Sequence, residues 1–240
     1  MVDDKACIFK IINISQETPE VKTFTLEIPR SINFKFLPGQ YVEVSFYDNP
    51  NGRPIDEWKG YSISSSPVEE KYLDITVLNR GPFSRKMHDL QTGSFLRVKG
   101  PYGNFVFDGS LKENPVFIAG GVGIAPIMSM MRYIVDKKLS YLTSLIYSSK
   151  SIKDILFYED LKKIESEHGY VKCTYVLTQP DESKWSGRTG RINEEMIVEN
   201  IENNLNNIYY VCGPYEMMLM VSYILQKLGI KNSNIKTDLW

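Results

Sequence analysis

A chain of 240 residues with 42% hydrophobic and 24% charged residues has the make-up of a globular protein, and its length calls for two domains of roughly 100 to 150 residues. A formal net charge of −1 supplies no basic field, which excludes nucleic acid and anionic membrane surfaces as general partners. No apolar run reaches the roughly 18 to 20 residues that cross a bilayer. The start Met1-Val2-Asp3-Asp4-Lys5 has no signal-peptide pattern, so a cytoplasmic protein without membrane insertion is expected.

From Ile8 to Phe107 the sequence reads as an antiparallel β-barrel. Short apolar runs at Val21 to Ile28, Tyr41 to Phe46, Tyr72 to Leu78 and Phe95 to Val98 are separated by turn residues. Breakers stand at Pro38-Gly39, Asn51-Gly52, Gly93 and Gly100-Pro101, and the polar stretch Asp48 to Trp58 reads as a long loop. Ser84, ahead of the amphipathic Arg85-Lys86-Met87-His88-Asp89-Leu90, is expected to cap a helix.

After Gly109-Ser110-Leu111-Lys112-Glu113-Asn114 the texture changes, which sets the expected boundary between domains 1–110 and 111–240. Strands at Pro115 to Ala119, Thr143 to Tyr147, Lys172 to Leu177 and Tyr209 to Cys212 alternate with helices near Ala125 to Lys137, Ile155 to Glu167 and Glu216 to Leu228. Such alternation predicts an α/β domain with a parallel sheet. The three cysteines, Cys7, Cys173 and Cys212, lie far apart with no CxxC, so neither a disulfide framework nor a metal or iron–sulfur site is expected from this chain alone.

Two segments carry chemistry. Gly120-Gly121-Val122-Gly123-Ile124-Ala125-Pro126 joins a buried strand to a helix. Glycines let backbone approach a ligand, and the N–H groups at a helix start attract an anion such as pyrophosphate. Alone, this segment also serves as a plain strand-to-helix turn, and its spacing is not the GxGxxG of the ordinary dinucleotide fingerprint. Lys59-Gly60-Tyr61-Ser62-Ile63-Ser64 sets a cation, an aromatic ring and hydroxyls along one strand. Those groups suit a flavin nucleotide: the ring for packing, a serine for flavin N5, the cation for pyrophosphate.

Together these motifs resemble the ferredoxin–NADP reductase superfamily over nearly the whole chain. Phe36-Leu37-Pro38-Gly39-Gln40-Tyr41 is similar to the family's barrel motif, and Lys59-Gly60-Tyr61-Ser62 to its Arg-x-Tyr-Ser, with lysine in place of arginine. Leu78-Asn79-Arg80-Gly81-Pro82-Phe83-Ser84 is similar to its next flavin segment, and the resemblance implies Asn79, Gly81, Pro82, Phe83 and Ser84, with Val77 just before them, as flavin-binding. Gly100-Pro101-Tyr102-Gly103-Asn104-Phe105 resembles the turn that closes its barrel.

The resemblance further implies that Cys212, Gly213 and Pro214 border the nicotinamide, with Cys212 shaping the hydride-transfer pocket rather than acting as a nucleophile. It implies catalytic roles for Ser62, Cys212, Asp238 and Trp240, with Trp240 stacked on the flavin ring and Asp238 near the hydride path. The expected cofactors are FAD in preference to FMN, with NAD(P)H as co-substrate. Ser149 and Lys150, at a strand end read as lacking a carboxylate, lean toward the 2′-phosphate of NADPH. The implied activity is flavin-dependent NAD(P)H oxidation with electrons passed to a ferredoxin, a flavodoxin or an oxygenase component. Alternatives are a flavin reductase using flavin as substrate and an electron-transfer subunit of a larger complex.

Overall fold

The computed structural model describes residues 6–47, 57–181, 184–200 and 207–238. Most of the expected loop at 48–58, the first five residues and Trp240 lie outside the described residues. The chain divides into two compact units, Met1–Asp108 with Met128–Asp136, and Gly109–Ile127 with Lys137–Trp240.

In the first unit, β1 (Cys7–Thr18), β2 (Val21–Glu27), β3 (Tyr41–Phe46), β4 (Lys59–Ser62), β5 (Tyr72–Leu78) and β6 (Phe95–Tyr102) form one antiparallel sheet in the order β4-β3-β6-β1-β2-β5. An antiparallel bridge between Ile63 and Ile75 joins its two edges, and the Ser64 N–H donates to the Asp74 carbonyl at 2.8 Å. The expected barrel is therefore closed, leaving no long unpaired edge at that seam. Alternation turns Phe9, Ile11, Phe24, Leu26, Val42 and Ile75 inward, all fully buried. Each contributes roughly 1.5–3 kcal/mol of burial free energy.

The helix expected near Ser84 is α1 (Pro82–His88), but its cap is Gly81 and not Ser84. Pro82, which lacks an N–H, takes the first helical position, as its fixed φ favours. Ser84 lies three residues beyond the cap, where its Oγ accepts the N–H groups of Arg80 and Gly81, both at 2.9 Å. Phe83 and Met87 of α1 are buried with the barrel core.

In the second unit, β7 (Pro115–Gly120), β8 (Thr143–Ser149), β9 (Val171–Leu177), β10 (Arg188–Thr189), β11 (Ile208–Cys212) and β12 (Ile235–Asp238) form a parallel sheet in the order β10-β9-β8-β7-β11-β12. Every residue of β7 and β11 is buried, the mark of central parallel strands covered on both faces. Helices α2 (Ile124–Asp136), α3 (Tyr158–Glu167), α4 (Glu194–Asn200) and α5 (Tyr215–Lys227) follow β7, β9's predecessor β8, β10 and β11.

Two boundaries differ from expectation. Helix α3 starts at Tyr158 rather than Ile155, because Ile152–Asp154 form a separate 3-10 turn and Phe157 takes a left-handed φ of 54°. The later part of α2, Met128–Asp136, belongs to the barrel unit. There the Ser129 hydroxyl donates to the Ser65 carbonyl at 2.6 Å and Arg132 donates to the Ser64 carbonyl at 2.8 Å. No helix among the described residues is long and apolar enough to cross a membrane.

Candidate functional site

The flavin strand β4 distributes its residues over two faces. Tyr61 pairs with Val42 and Ser62 with Tyr41, and cross-strand partners share a face. Tyr61 thus faces the core side with Val42 and Ile63, at the end that α1 covers. Its ring lies 6.4 Å from Phe83, and Phe83 lies 4.6 Å from Phe46, over which Lys86 places its ammonium at 4.1 Å. Ser62 is buried in a row with Tyr41 and Tyr102, whose rings stand 5.7 Å apart. In the sequence Tyr41 reads as the start of a strand and Tyr102 as part of a turn, with no role at the site assigned to either.

Burial, then the nearby Glu57 carboxylate, pushes the Tyr61 phenol up to about 12. The phenol is therefore neutral near neutral pH and can donate to a phosphate oxygen. Lys59 is exposed and stands 3.7 Å from Glu57; a surface pair of this kind contributes little, so the ammonium can move to a stronger anion. A raised folded-state value makes Tyr61 favour the fold below its ordinary value of 10, an advantage lost as pH rises through about 12. In chemical denaturation of the barrel unit, the fall in stability between those pH values is expected to flatten in Tyr61→Phe.

Other flavin-side candidates hold structure. Ser64 is fully buried; its hydroxyl accepts from Thr76 at 3.0 Å, while its N–H and carbonyl bind Asp74 and Arg132. The Val77 side chain is in the core and its carbonyl accepts from His88 Nε2 at 2.9 Å. Asn79 is exposed and its N–H donates to the Glu20 carbonyl. Gly60 and Gly81 are half-buried and Pro82 is exposed.

The nicotinamide-side candidates gather at the carboxyl ends of neighbouring strands. Ala119 pairs with Cys212 and Cys212 with Asp238, so these three stand side by side at the ends of β7, β11 and β12, with Gly120 and Gly213 one residue further along their chains. From β7 the chain builds outward first through β8 to β10 and then, on the other side, through β11 and β12. Such a reversal of strand order is where open α/β sheets bind ligands. Gly121–Gly123 make a 3-10 turn that leads into α2, with Gly123 to Pro126 buried, Val122 half-buried and Gly121 exposed at a φ of 54°.

Close packing joins the two glycine segments. A Cβ on Gly123 would fall 2.5 Å from the Cys212 carbonyl oxygen, and one on Gly213 would fall 2.9 Å from the Gly120 nitrogen. Pro214 reaches the same place, its Cδ 2.9 Å from a Cβ on Gly120. Cys212 itself is fully buried. At the end of β8, the buried Ser149 Oγ has no hydrogen-bond partner among the described residues, while Lys150 is exposed. A buried hydroxyl without a partner is costly unless a ligand satisfies it, and glycine backbone at a helix start suits a phosphate. These residues therefore fit a nicotinamide nucleotide.

One carboxylate at this edge was missed. Asp154 folds back so that its Oδ2 accepts the Ser151 N–H at 3.0 Å and the Ser151 hydroxyl at 2.6 Å. The Ser-x-x-Asp spacing after the strand was the available signal.

Residues 8–107 match the oxidoreductase FAD-binding domain family, and residues 117–223 match the oxidoreductase NAD-binding domain family. A relative of similar build, sulfhydrogenase 1 subunit gamma of Pyrococcus furiosus, is 30% identical over 95% of this chain and 76% of its own. The chain belongs to the ferredoxin–NADP reductase superfamily. As a member of that superfamily it carries an FAD-binding barrel domain and an NAD-binding α/β domain. The glycine betaine monooxygenase reductase subunit of Chromohalobacter salexigens is 30% identical over 94% of this chain, which spans 61% of that relative's length.

Two solved structures show the fold. The flavohem-like FAD/NAD binding domain of nitric oxide dioxygenase from Vibrio cholerae superposes with a TM-score of 0.86, at 22% identity, over 98% of this chain and 99% of its own. A ferredoxin NADP+ reductase from Neisseria gonorrhoeae gives a TM-score of 0.79 at 22% identity over 98% of each chain.

Proposed function

We propose that this reductase-superfamily chain oxidises NAD(P)H through bound FAD and hands electrons to a separate acceptor. The observation that carries the reading is the joined pair of glycine segments at the strand-order reversal, in a chain whose other domain matches an FAD-binding family. When bound, the flavin supplies a ring whose N5 accepts hydride from nicotinamide C4 and from which electrons leave singly. The protein's part is to bind, orient and exclude water.

In this reading Lys59 neutralises flavin pyrophosphate and the neutral Tyr61 phenol donates a hydrogen bond to it. Ser62 presents its hydroxyl toward the flavin ring, and Phe83 closes the packing behind Tyr61. Gly120 to Pro126 hold the phosphates of the nicotinamide nucleotide. Cys212, Gly213 and Pro214 form a wall for its ring, with Asp238 beside Cys212. Trp240 is assigned to stacking on the flavin by family resemblance. The acceptor is proposed to be a ferredoxin, a flavodoxin or an oxygenase component, since two relatives are reductase or gamma subunits of larger systems.

The test is the visible spectrum of the purified protein, with extraction of its flavin and anaerobic addition of NADH or NADPH. Retained FAD whose absorbance is bleached supports the reading, and retention through gel filtration separates it from a reductase that uses flavin as a diffusing substrate. A colourless protein that FAD cannot reconstitute overturns it.

Nucleotide preference sets Lys150 and Ser149 against Asp154. A carboxylate accepts a ribose hydroxyl and repels a 2′-phosphate. Asp154→Asn keeps an acceptor for Ser151 while removing the charge, and is expected to raise the NADPH-to-NADH ratio of kcat/KM by about fivefold. Steady-state kinetics with both nucleotides checks it; an unchanged ratio removes Asp154 from the specificity argument.

A further inference from the structure

We propose that Tyr147 is a positioning residue for the nicotinamide nucleotide, its hydroxyl fixing the glycine turn after β7 and the segment after β8 to one point. The inference rests on the reading of this strand edge as the nucleotide site. Tyr147 is 1% exposed and stands on β8 between Ala119 of β7 and Tyr175 of β9. Its hydroxyl donates to the Gly121 carbonyl at 3.0 Å and accepts the Leu156 N–H at 3.2 Å.

The Gly121 carbonyl also accepts the N–H of Ile124. Both of its lone pairs are then engaged, in a turn whose proposed ligand is an anion that a bare carbonyl would repel. In a trans peptide the C=O and N–H point in opposite directions. Holding the Gly121 carbonyl on the buried phenol therefore turns the Val122 N–H away from Tyr147, toward the outer side of the turn. Without the phenol, the Ile124 N–H alone holds this carbonyl, at a glycine that already sits at a φ of 54°.

The second bond acts on the other segment. Leu156 follows the 3-10 turn Ile152–Asp154, which begins at Ser151 and is held by the Ser151–Asp154 contacts. Anchoring the Leu156 N–H on Tyr147 sets where that turn, and with it Ser149 to Ser151, lies against the sheet. A single hydroxyl thus sets the spacing between the turn proposed for the phosphates and the strand end proposed for the ribose.

Tyr147→Phe, made in the full flavin-loaded chain, removes the hydroxyl and leaves the ring. The dissociation constant for ADP-ribose, measured by calorimetry, and the KM for the nicotinamide nucleotide are expected to rise about five- to twentyfold, with kcat within about twofold of the parent. Amide exchange at Leu156 should accelerate, a readout independent of turnover. Tyr209→Phe, at a fully buried tyrosine near the other end of β11, should leave the ADP-ribose constant unchanged. Parent-like ADP-ribose binding in Tyr147→Phe, continued protection of the Leu156 amide, or an equal loss in Tyr209→Phe would overturn the proposal. A parent protein that binds no ADP-ribose would instead overturn the nucleotide-site reading, and this proposal with it.

Discussion

Gly123→Ala is expected to abolish useful nicotinamide-nucleotide binding while leaving flavin in place. The added Cβ would sit 2.5 Å from the Cys212 carbonyl oxygen and 2.6 Å from the Gly213 nitrogen. Neither is the end of a flexible side chain. Cys212 is held from both sides, by β7 through Ala119 and by β12 through Asp238, so the turn must move and not the strand. Overpacking of this kind costs roughly 2–3 kcal/mol, and a turn displaced from its anion-binding geometry is expected to raise the nucleotide dissociation constant at least about thirtyfold.

Gly121→Ala is the informative comparison. Its Cβ would meet nothing within 4 Å, so the penalty is the φ of 54° alone, roughly 1–2 kcal/mol. Titration of both variants with ADP-ribose, read against an unchanged flavin spectrum, checks the ordering. If Gly123→Ala binds within about threefold of the parent, the packing of Gly123 on Cys212 does not govern the site.

How far the sequence revealed this arrangement depends on whether the information is local. The strand-to-helix glycine segment and the Cys212 to Pro214 segment are legible as turns because turn residues punctuate buried strands, and both lie between a strand and a helix. That Gly123 lies on Cys212 is not legible, because the contact follows from β7 and β11 being neighbours although β8, β9 and β10 intervene in sequence. The edge strands β10 and β12, of two and four residues, are too short for periodicity to register.

The misplaced helix starts have local causes. Ser84 has the chemistry of a cap, yet its hydroxyl binds backward onto Arg80 and Gly81 from inside the first turn, and Pro82 sets the true start. Before α3, nothing in Phe157 announces a left-handed residue. Helix α2 is apolar on most sides, which signals burial but not what covers it. Hence the attachment of Met128–Asp136 to the barrel unit through Ser129 and Arg132 could not be foreseen. The bonds of the Tyr147 hydroxyl are of the same kind, set by a carbonyl 26 positions away.

Gly39→Ala is expected to act on the other unit, lowering barrel stability by roughly 3 kcal/mol or more and releasing flavin. Gly39 has a φ of 100°, and an added Cβ would lie 2.1 Å from the Phe105 carbonyl oxygen and 2.4 Å from Met130 Cε. The methionine can swing aside, but the carbonyl is backbone, held in place as the Phe107 N–H donates to Pro38 at 3.1 Å. Any shift of Gly39 carries Gln40, whose carbonyl accepts the Ile63 N–H at 2.9 Å, directly beyond the flavin strand. Unlike Gly123→Ala, this change should therefore show first as a lowered Tm and loss of bound flavin, with ADP-ribose still bound where the α/β unit stays folded. Excess FAD should recover part of the Tm, because a ligand that binds the folded state stabilises it by mass action. A Gly39→Ala protein with parent Tm and full flavin content would show that the turn at Leu37 to Gln40 yields without moving Ile63.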